Sequence, residues 1–214
     1  MKDWLKKNLP LWFDGENNVA RFSLPIFPLK TVLYPGGLLP LKVFETRYVD
    51  MVKECLKNET PFGVCLIRDG EEVGSAALPE SVGTLAHIRD WDMPQLGLWH
   101  INAVGGRRFA IESMAVSRQQ LILAEVVRLS EETAVSVPPE LSACKTLLTA
   151  VEEKIGTDWL AGDAEPDNAV WLGFRLAEIL PLKPSVKQNL LEMNDPIARL
   201  QILHTFLQQQ GLSA

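Results

Sequence analysis

No stretch of this sequence is apolar for long enough to cross a bilayer, which takes about 18–20 residues. Residues 1–14 carry lysines and tryptophans, but Asp3, Asn8, Pro10 and Asp14 interrupt them. The unbroken apolar stretch of an export signal is therefore missing, and a cytoplasmic protein with no membrane partner is expected. Cysteine is scarce: Cys55, Cys65 and Cys144 are odd in number, far apart and flanked by apolar residues. That pattern argues against a disulfide framework or a zinc site, and buried thiols are expected. The three histidines, His87, His100 and His204, are scattered without metal-ligand spacing. No cofactor and no metal are expected. There is no G-x-S-x-G around a nucleophile and no G-x-x-x-x-G-K-[ST] to cradle a phosphate. Basic excess is missing too. Residues 1–135 hold 15 basic and 17 acidic side chains, and residues 136–214 hold 6 and 10, for a net charge of −6. Neither part carries the positive field that draws nucleic acid, so that partner is disfavoured.

What is present is a 47% apolar chain of 214 residues, enough for a sizeable core. Up to about residue 135 the pattern is of short β runs. Phe22–Lys30 is broken by Pro25 and Pro28 and is expected at a sheet edge. Tyr34-Pro35-Gly36-Gly37 reads as a turn, with proline presetting φ at its second position and glycine accepting positive φ at its third. Leu38–Phe44 is a strand. Then Tyr48, Met51, Val52, Cys55 and Leu56 form one helical stripe, with Thr46 as the expected N-cap and Asn58 as the stop. Five more strands follow: Phe62–Ile67, Thr84–Asp90, Leu98–Val104, Phe109–Ser113 and Leu121–Leu129. A tight turn is expected at Gly105-Gly106. Seven short strands with one inserted helix predict a closed or nearly closed barrel.

Beyond residue 135 the period becomes helical. Pro138-Pro139 opens a helix carrying Leu141, Cys144, Leu148, Val151 and Ile155, ended by Gly156. Asp167 or Asn168 caps a second that runs to Leu180. Ser185 and Gln188 are expected to form a capping box for a third. Asp195-Pro196 starts a fourth, with Ile197, Leu200, Leu203, His204 and Leu207 on one face and Gly211 at its end. The fold class expected is α+β: a closed or nearly closed β-barrel followed by a C-terminal helical bundle. The expected divisions are 1–21, an N-terminal arm; 22–135, the barrel; and 136–214, the bundle.

The residues also resemble a known family, the N-terminal substrate-binding domain of Lon proteases. The likeness runs through Leu24-Pro25-Ile26-Phe27-Pro28-Leu29, Tyr34-Pro35-Gly36-Gly37, Leu39-Pro40-Leu41 and Phe44-Glu45-Thr46-Arg47-Tyr48. It resumes at Val82-Gly83-Thr84-Leu85-Ala86, at Gly105, and at Arg108-Phe109-Ala110-Ile111. In the helical part Lys187-Gln188-Asn189-Leu190-Leu191-Glu192, Asp195 and Arg199-Leu200 are similar to the family's helix-pair motif. The resemblance covers roughly residues 22–207, and it is what names the barrel PUA-like. Lon proteases continue into an ATPase and a Ser-Lys peptidase, and neither is expected in this chain. The resemblance therefore implies recognition without ATP use or cleavage: a non-catalytic module for polypeptide segments or a protein partner, with a place as an adaptor in protein quality control.

The candidate contact residues are Phe44, Glu45, Arg47, Tyr48, Trp91, Met93 and Arg108. Trp91 falls in the polar stretch Arg89-Asp90-Trp91-Asp92-Met93-Pro94, read as a loop, where an aromatic ring can anchor an apolar side chain or fold back as a plug. Arg108 is expected in an ion pair, with Glu45 or Glu112 as candidates. Trp99 is expected in the core, Trp159 and Trp171 in helix packing, and Trp4 and Trp12 against the body or a second copy. Two other classes stay open. RNA binding would use Trp91, Trp99 and Phe109 for stacking and Arg89, Arg107 and Arg108 for phosphates. A hydrolase would need a closed pocket holding His87 or His100 beside a carboxylate.

Overall fold

The structure, a computed structural model, describes residues 21–211. It is a mixed α and β fold with seven strands and five α-helices among those residues. The strands are β1 (Arg21–Leu29), β2 (Leu38–Val43), β3 (Phe62–Asp69), β4 (Leu78–Pro79), β5 (Val82–Gln95), β6 (Leu98–Val116) and β7 (Ile122–Arg128). Helix α1 (Thr46–Asn58) lies between β2 and β3. A 3-10 turn at Pro139–Leu141 leads into α2 (Ser142–Ile155), followed by α3 (Ala169–Ile179), α4 (Pro184–Glu192) and α5 (Pro196–Gln209). The pairing path is β1-β7-β6-β5-β3-β4, with β2 on β6 and a further pairing of β1 with β3. All pairs are antiparallel except β1–β3.

Strand β1 is not an edge. It pairs with β7 from Arg21 to Ile26 and with β3 from Ile26 to Leu29. Each proline sits where one neighbour is absent: Pro25 before β3 begins, Pro28 after β7 has ended. A missing N–H is tolerated at such half-paired positions. The Tyr34–Gly37 turn forms as read, with Gly36 at φ +71° and the Gly37 amide donating to the Tyr34 carbonyl at 2.9 Å.

Gly105 and Gly106 are not a turn but the middle of β6, which runs unbroken for 19 residues. The reason is steric. The Tyr34–Gly37 turn lies directly on the strand, where Gly36 N donates to Gly105 O (2.7 Å) and Gly105 N to Gly37 O (2.9 Å). A Cβ on Gly105 would overlap the Tyr34 carbonyl oxygen, and one on Gly106 would come within 2.9 Å of His87 Nε2. The glycines serve close backbone approach rather than reversal.

Helix caps follow the expectation in part. Asn168 accepts from Val170 N (3.0 Å), and Asp195 from Ile197 N (2.9 Å) and Ala198 N (3.0 Å). Thr46 does not cap α1; Glu45 holds that position through its backbone alone. Ser185 and Gln188 form no capping box, because Pro184 places the N-cap at Lys183. The Gln188 amide instead donates to Val82 O (3.0 Å) and to Glu192 (2.7 Å). The apolar stripes of α3 to α5 bury Leu172, Leu176, Leu200, Leu203 and Leu207 completely. Each such side chain contributes about 1.5–3 kcal/mol. The stripe of α2 ends early, since Ile155 is exposed. All three cysteines are free and buried, and burial pushes the thiols of Cys55 and Cys144 up to about 11.

The sheet and the helices share a buried seam. Arg108 of β6 donates to the carbonyls of Leu191 (2.7 Å) and Met193 (2.8 Å) and to Asn194 (2.9 Å). Its ion-pair partner is Glu132 at 3.0 Å, not Glu45 or Glu112. Arg199 of α5 grips the same carboxylate with two nitrogens (2.6 and 3.0 Å) and donates to Leu190 O and Met193 O. Its guanidinium lies 4.0 Å from the Phe174 ring centre. Arg175 of α3 reaches back to the carbonyls of Pro35 and Gly36, and the Tyr34 hydroxyl donates to Lys187 O (2.8 Å).

Candidate functional site

Strand β6 decides where the exposed side chains gather. Near its start Trp99 pairs with Val43, the residue before Phe44. Just past its end, the Gln120 carbonyl accepts from Arg47 Nη1 at 2.7 Å. Trp99 and Leu121 pack on the same core cluster. Both ends of β6 therefore meet at the segment Phe44–Tyr48, which links β2 to α1.

An open hollow of about 470 Å³ lies there, lined by Phe44, Glu45, Thr46, Arg47, Gly74, Gln119 and Gln120. Phe44 is 58% exposed on it. The Glu45 carboxylate is engaged by Gly74 N (3.3 Å) and the Arg47 guanidinium (3.1 Å) rather than by the free N–H groups of the first helical turn. That explains why it does not cap. Arg47 is only 6% exposed and lies 4.5 Å over the Tyr48 ring. Its Nε has no hydrogen-bond partner among the described residues, an unusual state for a buried donor. Tyr48 itself is buried and stacks on Phe27 at 4.0 Å, so burial raises its hydroxyl above the usual phenol range.

Trp91 lies not in a loop but in β5, opposite Ile101 of β6. Beyond Ala86, β5 loses β3 as a neighbour, and β5 and β6 run on together to a two-residue reversal at Leu96-Gly97. Gly97 takes φ +84° there. The polar composition that reads as a loop is that of a ribbon with water on most sides. Trp91 stays 51% exposed and packs at 4.9 Å on Trp99, which is half-buried. Met93 and Leu96 are exposed farther out. The outer edge of the ribbon is guarded by Asp90, Asp92, Pro94 and two register shifts, which block further strand pairing.

Of the seven candidate residues, Phe44, Glu45 and Arg47 line the hollow, and Trp91 and Met93 lie on the adjoining ribbon. Tyr48 is buried beneath them, and Arg108 is buried in the seam. Gln119 and Gln120 are the lining residues that the sequence pattern does not reveal; Gln120 shows itself only through its φ of +65°. Trp4 and Trp12 lie outside the described residues. Trp159 and Trp171 pack on the helical core, Trp159 from the loop after α2.

The other two chemistries find less support in this geometry. Phe109 is fully buried and Trp99 half-buried against the core, so of the stacking residues only Trp91 is exposed, and Arg107 is paired with Glu131. His100 lies opposite Asp92, but His87 lies opposite Val104, and the hollow contains neither histidine. Burial, with Arg128 nearby, lowers the pKa of His87 and favours its neutral form. No group of three His, Cys, Asp or Glu side chains suited to a metal is found among the described residues. No described helix is long and apolar enough to cross a membrane.

The mixed α and β fold thus carries exposed aromatic side chains and a shallow polar hollow. Comparison with known proteins places it: residues 23–209 match the family of the ATP-dependent protease La (LON) substrate-binding domain, and the chain belongs to that family. A crystal structure of a Lon N-terminal domain protein from Xanthomonas campestris is 34% identical with a TM-score of 0.73, covering 86% of this chain and 98% of that one. The N-terminal domain of a Mycobacterium avium complex Lon protease shares the fold at TM-score 0.61 and 19% identity, over 87% of this chain and 98% of that one. Among curated relatives, the Lon protease of Anaeromyxobacter dehalogenans is 27% identical over 79% of this chain and 18% of its own length. That of Brevibacillus choshinensis is 26% identical over 92% of this chain and 26% of its own. The chain thus spans about a quarter or less of these relatives.

Proposed function

We propose that the chain is a non-catalytic module that binds partly apolar polypeptide segments, or a protein partner displaying one, at the face formed by Phe44, Trp91 and the Arg47 hollow. The observation that carries this is the Trp91–Trp99 pair, held half-exposed on a paired ribbon beside a half-exposed Phe44. A rigid aromatic platform contributes contact area while losing little side-chain freedom, which is how binding hot spots are built. The Gln119 and Gln120 amides on the hollow add polar groups suited to a peptide main chain. Membership of a family of Lon substrate-binding domains supports the same class of ligand. On this reading the ring of strand pairings over 22–135 is a small barrel, and the helices of 136–214 form a bundle on it. The seam between them is filled by its own arginines, which favours the barrel end as the binding surface. An adaptor role, presenting clients to a separate protease, follows as the use of such a module.

The test is fluorescence anisotropy of labelled, reduced and carboxymethylated α-lactalbumin with the purified chain, beside a labelled single-stranded RNA. Saturable binding of the unfolded protein is expected, weakened about 30-fold or more by Trp91→Ser if that residue is a hot spot worth 2 kcal/mol. A folded sample that binds no unfolded protein at about 10–50 μM, roughly the 6–7 kcal/mol range, overturns the proposal. A salt-dependent preference for the RNA would do the same.

A further inference from the structure

We propose that the hollow reads the main-chain N–H groups of its ligand through the Glu45 carboxylate, and that residues 71–75 are a flap holding that acceptor until a client polypeptide displaces them. The inference rests on the polypeptide-binding reading. It names the group that is recognised and the segment that must leave.

The polar contacts at the hollow close into a ring. Arg47 Nη1 donates to the Gln120 carbonyl (2.7 Å), and the Gln120 side-chain oxygen accepts from Ala76 N (3.3 Å). Gly74 N donates to Glu45 Oε2 (3.3 Å), and the same oxygen pairs with Arg47 Nη2 (3.1 Å). Glu45 and Arg47 are fixed at the start of α1, and Gln120 in the turn between β6 and β7. The segment after β3 contributes only two main-chain N–H groups to this ring, two residues apart. Every polypeptide carries such groups except at proline, so a client can make the Gly74 contact in its place. The contact is a weak one to displace, being longer than the usual N–H···O distance of about 2.9–3.0 Å. Gly74 N and Arg47 Nη2 take both lone-pair positions of Oε2, and Gly74 is itself a wall of the hollow. Lifting residue 74 therefore opens the acceptor and widens the hollow together.

The way the segment is hung allows it to lift. Its base is pinched: Asp69 pairs with Leu78, and a Cβ on Gly70 would come within 3.1 Å of Ala77. Ala77 is buried, and Ala76 packs on the core cluster around Phe109. Between these fixed ends, residues 71–75 bury no apolar side chain, since Val73, the one they have, is 59% exposed. Polar contacts at the surface hold them down: Lys30 N donates to Glu72 (2.5 Å), Lys30 Nζ to Glu71, and Gly74 N to Glu45. A segment with few buried apolar contacts and exposed hydrogen bonds lies at the low end of local stability. Gly70 at φ +102° stands at the base and Gly74 at φ +97° within the flap, and glycine takes other φ values as readily. Residues 71–75 can thus move while β3 and β4 stay paired.

A closed flap lowers apparent client affinity in proportion to the fraction of molecules that are open. Gly74→Ala shifts that fraction cleanly. Its Cβ meets nothing within 4 Å, so no contact is disturbed, but a side chain at φ +97° strains the closed flap alone.

The experiment uses the full chain with carboxymethylated α-lactalbumin as the probe. Affinity is read by anisotropy, and water exchange at the Gly74 amide by NMR, with that resonance assigned from its loss in Gly74→Ala. Gly74→Ala should bind the probe about fivefold more tightly. Glu72→Ala, which releases Lys30 N, should gain about threefold. Probe binding to the parent should speed exchange at the Gly74 amide. Adding Glu45→Ala to Gly74→Ala should weaken binding about tenfold. Glu45→Gln in the same background keeps an accepting oxygen and should stay within about threefold. Parent-like affinity in both flap variants overturns the proposal. So does a Gly74 amide that exchanges no faster when the probe binds, or a Glu45→Ala change without effect. If neither the parent nor Gly74→Ala binds the probe, the polypeptide-binding reading itself fails. If the parent binds and the flap variants bring no gain, only the flap fails.

Discussion

The seam between sheet and helices and the face at Phe44–Trp91 are built from the same residue types, arginine and aromatic rings, and they treat them in opposite ways. In the seam, Arg108 and Arg199 share one carboxylate, satisfy carbonyls at the end of α4 and its exit, and approach Phe174. At the Phe44–Trp91 end, Trp91 has one aromatic neighbour and stays half-exposed, and Phe44 is exposed. Buried charges are costly unless partnered, and Arg108, Glu132 and Arg199 are partnered with one another and with main-chain carbonyls, so this cluster is a structural joint. A half-exposed aromatic ring costs little and leaves contact area.

The contrast predicts where substitutions act. Glu132→Ala should be the most damaging, because it leaves two buried guanidinium groups without a counter-charge. A loss of about 3–5 kcal/mol is expected from urea unfolding. Replacing Arg108, Glu132 and Arg199 together by Met, Leu and Met should not restore full stability, since the carbonyls of Leu190, Leu191 and Met193 lose their donors. Recovery to the parent's urea midpoint would show that the seam is a charge pair and not a set of carbonyl caps. Gly105→Ala comes next, at about 1–3 kcal/mol by overpacking against the Tyr34 carbonyl. A thermal midpoint equal to the parent's would break the account of that glycine. Asp195→Ala removes the cap of α5 and should cost about 1 kcal/mol in the same urea assay. Trp91→Ser should shift stability by no more than about 0.5 kcal/mol while abolishing most client binding. A large stability loss there would make Trp91 a packing residue and collapse the distinction between the two regions.

Local features were legible from the sequence wherever one residue's chemistry dictates its own backbone. Gly36 at the third position of its turn, Asp195 before Pro196, and the stripe of α1 all form as read. The readings that changed are those where distant chain intervenes. Gly105-Gly106 has the composition of a turn, yet it lies under the Tyr34–Gly37 segment, about seventy residues away in sequence. Asp90, Asp92 and Pro94 are loop-like, yet they sit on a strand whose partner across the reversal carries Trp99 and Ile101. Arg108 has carboxylates at hand in sequence, but its partner is Glu132, brought in by the link to the helices. For the candidate site, the signal in Phe44, Glu45, Arg47 and Trp91 was chemical: aromatic and charged side chains at element ends. That both ends of β6 bring them to one place had no local signature.

The sequence by itself determined the class of fold, the change from β to helical period near residue 135, the membership of the Lon substrate-binding family and the burial of the three thiols. These follow from periodicity, turn residues and motif order, which act over a few neighbours at a time. Only the tertiary structure decided which arginines are joint and which ring is surface. Whether a side chain is satisfied depends on groups that pairing and packing bring from elsewhere in the chain, and a long bent strand such as β6 can deliver its two ends to the same helix start.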